Sequence, residues 1–407
     1  MRAIVFDDGK GQLSPLTDLR ASFDVRTGAR TTLQRIEALL PDDVEIVALS
    51  VPDHLLPIAE EIHDVPVNEL PTDDEPVLLI NGRCPLPPEG FAEIGAGQII
   101  VERHGESDAE GGVVVACVPA REAGALLAGT VPSVGTRELD EPLLMRRPWD
   151  VRMFRDAALD LDLSSLAAIS GEPTPPGVVH AGSHPFVVRK QARVSPGVSV
   201  DTSDGPVVIG AGATVRPGAV LVGPVFIGEE SVVLERALIK ANTAIGPRCK
   251  VAGEVGGTIF QGFSNKAHEG HLGDSWVGEW VNFGAGTNNS NLLNTYGEVL
   301  SRATVGGPSE RTGQTFLGAI IGDHVKFAIA TRIMTGSVIH TGAMWAAGGP
   351  VTGAVGPFTW ATDRGATAFR ISRFLDTARA VMDRRGMEPG EAYLQRLSDL
   401  HERASGV

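Results

Sequence analysis

Residues 266–274 read Lys266-Ala-His268-Glu-Gly-His271-Leu-Gly-Asp274, which puts two histidines, a lysine and a carboxylate within nine residues. Acylation of an amine needs a base that takes a proton from the attacking nitrogen, and histidine titrates where such a base works. On residue type alone, His268 and His271 could equally decorate a solvent-facing bulge. A second concentration lies near the N-terminus, where Arg20, Arg26 and Arg30 accompany Gly9, Gly11 and Gly28. Guanidinium groups beside glycines suit a phosphate cradle, whereas pairing with Asp18 and Asp24 is the structural alternative. Further along, Asn81-Gly82-Arg83-Cys84-Pro85-Leu86 offers another arginine, able to meet a phosphate or to form an internal bridge.

These groups need elements to position them. In residues 1–130 short apolar runs alternate with amphipathic stretches. Ala3–Phe6, Glu45–Ser50, Val77–Asn81, Gln98–Val101 and Val113–Val118 read as buried strands; Thr31–Leu40, His54–Ile62 and Arg121–Leu127 read as helices. That alternation predicts an α/β domain with a largely parallel sheet, whose ligands collect beyond the carboxyl ends of the strands. The arginine-bearing segments fall there. Residues 143–168 read as a helix, with Leu143, Leu144, Phe154, Leu159 and Leu161 on its apolar face, and the Pro173–Gly177 cluster marks a boundary.

From residue 209 the pattern changes to a period of six. Ile209, Val215, Leu221, Ile227, Val233, Ile239, Ile245 and Val251 are aliphatic at that spacing, and a small residue follows each of the first seven by four positions. The rhythm restarts out of phase at Ile321, Phe327, Ile333, Ile339, Trp345 and Val351. Neither a helix nor an open sheet has this period, but a triangular parallel β-helix with three units per coil does. Residues 252–320 must therefore hold an insertion or a bulged coil, where a site is expected. Domains are expected at 1–170, 180–360 and 361–407. The last, with amphipathic helices across 365–404, would cap an open sheet edge.

Composition narrows the partners. A formal charge of −15 argues against nucleic acid or an anionic membrane as the general partner. Three scattered cysteines imply neither a disulfide framework nor a CxxC metal site. No apolar run is long enough for a membrane span, and the acidic start is unlike a signal peptide, so a cytoplasmic location is expected.

The six-residue rhythm resembles that of the left-handed β-helix acyltransferases. More closely, FDDG…LSPLTDLRASFDVRTGARTTLQR, INGRCPL, GEVGGTIFQGFSNKAHEGHLGDSWVGEWVNFGAGTNNSN and GDHVKFAIATRIMTGSVI resemble a divergent bacterial branch of the bifunctional N-acetylglucosamine-1-phosphate uridylyltransferase/glucosamine-1-phosphate N-acetyltransferases. This resemblance implies a nucleotidyltransferase-like domain ahead of an acetyl-CoA-dependent acyltransferase, assembled as a homotrimer with the acetyl site between subunits. It also implies His268 as the base, since His268 has the family's spacing to Leu-Gly-Asp; His271 falls where the family usually has an aromatic. Asn282 and Asn291 would contact the sugar, the latter as a catalytic group. The Ala285 backbone would lie at the acetyl thioester as an oxyanion donor, and Ala346 in the coenzyme A channel. The clustered asparagines could instead be an Asx-rich loop or a side-chain ladder. Arg248, Lys250 and Lys266 are the cations best placed for a sugar phosphate, or are solvated surface charges.

The chain also departs from the family. No tyrosine–lysine pair follows Asn291 as it does in relatives, and Ile329 stands where a serine meets the thioester, so the acceptor sugar is left open. In the first domain, Arg83 occupies the turn position of the Mg²⁺-binding aspartate, and a cation there repels a metal. Asp7 or Asp8 would have to replace that aspartate, or the domain binds UTP or a UDP-sugar without transfer through Asp8, Arg20, Arg26, Asn81 and Arg83. Three readings compete with acetyl transfer: nucleotidyl transfer with the β-helix as an oligomerisation scaffold, a non-enzymatic nucleotide-sugar-binding protein, and a zinc site enlisting His268, His271 and His324.

Overall fold

A computed structural model describes residues 1–103, 112–130, 135–139 and 141–405. The chain divides into two compact units: Met1–Val25, Arg30–Pro148 and Gly390–Arg396 form one; Arg26–Ala29, Trp149–Pro389 and Leu397–Val407 form the other.

In the first unit the strands are β1 (Arg2–Phe6), β2 (Glu45–Ser50), β3 (Pro76–Asn81), β4 (Ile99–Glu102), β5 (Gly112–Pro119) and β6 (Thr136–Leu139). They form one sheet in the order β2-β1-β3-β5-β4-β6. The sheet is mixed rather than largely parallel: β5 runs antiparallel to both β3 and β4. Nine residues separate the end of β4 from the start of β5, too few for a parallel crossover, and that segment holds no helical pattern to carry one. Helices α1 (Thr32–Leu39), α2 (Leu56–Ile62) and α3 (Ala120–Leu127) match the amphipathic stretches. A capping box starts α1: the Thr31 hydroxyl accepts from the Gln34 N–H, and the Gln34 side chain accepts from the Thr31 N–H.

The helix expected over 143–168 begins only at Asp150, as α4 (Asp150–Ala168). Pro148 drives Arg147 towards extended backbone, and the N–H groups of Leu143 and Leu144 are taken by the Glu102 carboxylate instead.

In the second unit, parallel strands stack into sheets of six, nine and ten strands. Partners lie 18 residues apart where the rhythm is regular, as in Val207↔Val225 and Thr214↔Val232. This is a parallel β-helix, consistent with the left-handed form. All eight aliphatics from Ile209 to Val251 are fully buried in one continuous column. Each carries apolar area removed from water on every coil, worth about 1.5–3 kcal/mol per side chain.

The step shrinks to 15 at Lys250↔Asn265, returns to 17 at Asn265↔Asn282, and jumps to 44 at Asn282↔Lys326. The out-of-phase restart thus has two causes: shortened coils, and one long insertion containing the hairpin Leu300–Ser301/Glu310–Arg311.

One corner of the prism shows how the C-terminal region attaches. Glu230, Arg248, Phe263, Trp280, His324, Gly342 and Phe358 occupy this corner on successive coils with positive φ. Phe263, Trp280 and His324 stack, and His324 meets Phe374 of α5 (Ile371–Asp383) edge-on. At Gly342 (φ 75°) a Cβ would lie 2.7 Å from the Phe358 ring, so glycine leaves room for that cluster. Residues 365–404 are not helical throughout. Gly365–Ala368 is a strand antiparallel to Thr359–Thr362, and α6 spans Glu391–Ser405. The hairpin, rather than a helix, continues the third sheet.

Candidate functional site

The sheet that carries His271 changes character where the repeat breaks. Strand His271–Gly273 pairs below with Glu254–Gly256, and its sheet ends there. The next coil on that face, Asn288–Asn289, pairs only with Arg332–Ile333. Asparagine side chains bridge the gap between them: Asn288 Oδ1 accepts from the His271 N–H (2.7 Å), and Asn289 Oδ1 from the Gly273 N–H (2.8 Å). Asn289 Nδ2 also donates to the Gly273 carbonyl (2.9 Å) and Ser275 Oγ (3.1 Å). The asparagine cluster is therefore a side-chain ladder at these two positions. It satisfies buried backbone groups that a strand would otherwise pair.

Outside this seam is a notch floored by glycine. Gly256 and Gly273 are register partners, so two successive coils lack an outward side chain at that column. A Cβ on Gly273 would stand 2.7 Å from both His271 Nε2 and Asn291 Nδ2, so these two nitrogens pack over the buried glycine. A Cβ on Gly256 would meet the stem of Lys240 at 3.1 Å. His271 Nδ1 lies 3.5 Å from Glu254 Oε1, which also pairs with Lys240. Glu254 and the two glycines were not picked out from sequence. Their 17-residue spacing equals the local coil step, which differs from the 18 of the regular repeat.

His268 is exposed at the corner just before this strand. Ala285 lies on the next coil, at the same corner: a Cβ on Gly286 would come within 4.0 Å of Glu269 Oε1. The Ala285 carbonyl accepts from the Ala330 N–H. Asn282 is half-buried on the adjoining sheet, its Oδ1 accepting from Asn265 Nδ2 (2.8 Å). The exposed Ala346 is two coils further along, its N–H bonded to the Ala361 carbonyl.

The expected phosphate cations separate. Lys250 is exposed on the same outward row as Asn265 and Asn282. Arg248 is a corner residue paired with Glu230 (2.9 Å). Lys266 is not on the surface. It occupies the core position in register with Val251, and its ammonium donates to the carbonyls of Ala252 (3.3 Å) and His268 (3.0 Å). Burial lowers its pKa to about 8, against an opposing pull from Glu269. Its reach ends on backbone inside the prism, which corrects the expectation of a phosphate contact. One coil on, Lys326 is in register with Asn282, and burial lowers its pKa to about 7.

In the first unit, Asp8, Asn81 and Arg83 meet. Arg83 grips Asp8 with two bonds (2.6 and 2.7 Å) and gives a third to the Met145 carbonyl; Asn81 adds a bond to Asp8 (3.0 Å). Burial pushes Asp8 upward, but the bonds and charge of Arg83 outweigh it and its pKa is lowered. Both Asp8 oxygens are thus committed to side chains and the guanidinium is spent internally, so in this arrangement Arg83 holds no phosphate. Asp7 is buried and accepts from the N–H groups of Gly9 and Ser22; burial raises its pKa. Mg²⁺, implied by the resemblance, does not fit these residues as placed. Among the described residues no group of three or more His, Cys, Asp and Glu could hold a metal ion. Arg20 is buried, with Nη1 on the Leu16 carbonyl (3.2 Å). Arg26 belongs to the second unit, where its guanidinium bonds to the carbonyls of Gln261 and Ala29. Its expected place in a nucleotide cradle of the first unit is corrected accordingly. His324, enlisted for a zinc site, is buried between Trp280 and Phe374.

Residues 3–170 match the family model described as sugar nucleotidyl transferase. The chain is 35% identical over 109 residues to the bifunctional sugar-1-phosphate nucleotidylyltransferase/acetyltransferase of Sulfurisphaera tokodaii, covering 27% of this chain and 26% of that protein. The chain thus spans about a quarter of the length of the curated relative it matches. Among solved structures, a hexapeptide transferase family protein from Anaplasma phagocytophilum is 14% identical, with TM-score 0.25, over 57% of this chain and 99% of its own. The Arabidopsis UDP-N-acetylglucosamine acyltransferase is 14% identical, with TM-score 0.24, over 58% and 90%. The β-helix rests on sheet topology rather than on these overlays. Family model and curated relative are both transferases, consistent with a transferase here. Among the described residues no helix is long and apolar enough to cross a membrane.

Proposed function

We propose that the chain is an acetyl-CoA-dependent N-acetyltransferase acting on an amino-sugar phosphate of the glucosamine-1-phosphate kind, joined to a domain that binds a nucleotide sugar such as UDP-N-acetylglucosamine. The observation that carries this reading is the break in the β-helix. His271 lies over the glycine column and His268 at the exposed corner just before it, beside the coil bearing Ala285 and Asn291. Amine attack on a thioester needs a base and a donor for the developing oxyanion. His268 supplies the base, and the Ala285 backbone N–H supplies the donor. The working form is a homotrimer that completes the site between subunits, and Lys250 and Arg248 face the phosphate. The closed Asp8–Arg83 pair favours binding without nucleotidyl transfer in the first domain. The test is thiol release from acetyl-CoA with glucosamine-1-phosphate and other amino-sugar phosphates. Turnover that falls by about 10²–10⁴-fold in His268→Ala supports the reading; absence of turnover with every acceptor removes it.

A further inference from the structure

At another corner of the prism, the one that carries His268, successive coils differ in length. Residues 234–237 join strand Val232–Val233 to Leu238–Ile239, but only Ala252 and Gly253 join Lys250–Val251 to Glu254–Gly256. On the next coil residues 267–270 again join Asn265–Lys266 to His271–Gly273. Corners of equal length stack residue on residue and share backbone bonds, as where the Arg236 N–H donates to the Pro217 carbonyl (3.3 Å). Two residues of the 267–270 corner have no counterpart below, so its backbone groups need other partners. Gly253 (φ 77°) lets the longer corner settle onto the shorter one. A Cβ there would lie 2.6 Å from the Gly270 carbonyl oxygen and 3.1 Å from that of His268. The Glu254 N–H donates to the first of these carbonyls (3.2 Å).

Lys266 serves the second. Val215, Val233 and Val251 stack in register beneath it, so its side chain starts from a position that is aliphatic on three successive coils. It carries instead an ammonium, in a residue 2% exposed, that donates to the carbonyls of His268 (3.0 Å) and Ala252 (3.3 Å). One side chain thus ties the long corner to the short one from inside the prism. An apolar residue there would avoid desolvating a charge, and a local rule broken at that cost is expected at a functional site. The His268 side chain stays exposed while its main chain is held.

Resting on the reading of His268 as the base, we propose that Lys266 is a positioning residue whose ammonium fixes the corner that carries that base. It acts through the His268 backbone and does not touch substrate.

The test compares wild type with Lys266→Met, His268→Ala and His268→Ala/Lys266→Met. The readouts are kcat and KM for each substrate, melting followed by tryptophan fluorescence, and hydrogen exchange of peptides covering 252–272. In Lys266→Met, kcat should fall about 10–10²-fold without a lower melting temperature, because the base is misplaced while the core gains an apolar side chain. The same change in the His268→Ala background should bring no further loss, since the group it positions is gone. The Glu254 amide, bonded to this corner, should lose protection in Lys266→Met. Should Lys266→Met not fold, Lys266→Leu carries the same comparison. Unchanged kcat in the folded variant, an equal fractional loss with and without His268, or unchanged exchange at the corner would overturn the proposal. If wild type shows no transfer with any acceptor, the acetyl-transfer reading fails and the tie is judged by exchange alone. Lost protection across 252–272 then supports it, and equal protection overturns it.

Discussion

Replacing Arg83 by methionine isolates the electrostatics of the first unit. The Asp8 and Arg83 side chains are 8% and 0% exposed, and Arg83→Met leaves the carboxylate buried with only Asn81 and the Lys10 N–H as partners. Removing one member of a buried pair costs about 3–5 kcal/mol, whereas replacing both with neutral groups is often close to neutral. At about 1.36 kcal/mol per decade, that is about 10²- to 10⁴-fold in the opening equilibrium. Hydrogen exchange of peptides covering β1 and β3 reads this directly, because both strands end at the pair. Arg83→Met should lose protection by that factor, and Asp8→Asn/Arg83→Met should regain most of it. The pH dependence should also change sign. In wild type the Asp8 pKa is lowered, so its contribution is complete above the ordinary carboxylate value of about 3.9 and fades as pH falls through the lowered pKa. In Arg83→Met, burial without a cation raises it, and stability falls as pH rises. Protection changed by less than about 10-fold, or a double variant no better than the single, would refute the reasoning.

The buried lysine gives a second prediction. With a folded pKa of about 8 for Lys266 against about 10.4 unfolded, the unfolded chain binds more protons between those values, so stability rises with pH across that window. Lys266→Met should flatten that rise and stabilise the second unit at pH 7 by up to about 3 kcal/mol, leaving the slope due to Lys326. Urea unfolding followed by fluorescence reports this unit selectively, because all five tryptophans belong to it; an unchanged slope refutes it. In the aliphatic column, Ile245→Ala should cost about 2–5 kcal/mol in the same assay. A cost below about 1 kcal/mol would mean the column is not close-packed.

Much of the fold was legible because burial imposes a period. The column from Ile209 to Val251 could be read residue by residue, since each six-residue unit must present one aliphatic side chain inward. The mixed order of the first sheet was not legible from the apolar runs, because they do not show strand direction, which the short β4–β5 connection decides. Lys266 was misplaced for a related reason. It occupies an inward position, but the shortened coil shifts the phase there, and a lysine does not announce burial. Among the site residues, the histidines and asparagines stood out by type. The ion pair of Arg155 with Asp274 did not, because it joins residues 119 positions apart. Arg83 was visible as a departure, but its partner among the nearby carboxylates emerged only from the packing of β1 against β3.

The central claim is that acetyl groups pass from coenzyme A to an amino-sugar nitrogen at the notch. The most direct test supplies acetyl-CoA labelled with ¹³C at the acetyl carbonyl, together with glucosamine-1-phosphate, and follows the label by NMR. The account predicts a new amide carbonyl resonance on the sugar nitrogen, growing in step with free coenzyme A. Label that stays in the thioester, or appears only as free acetate, would contradict it.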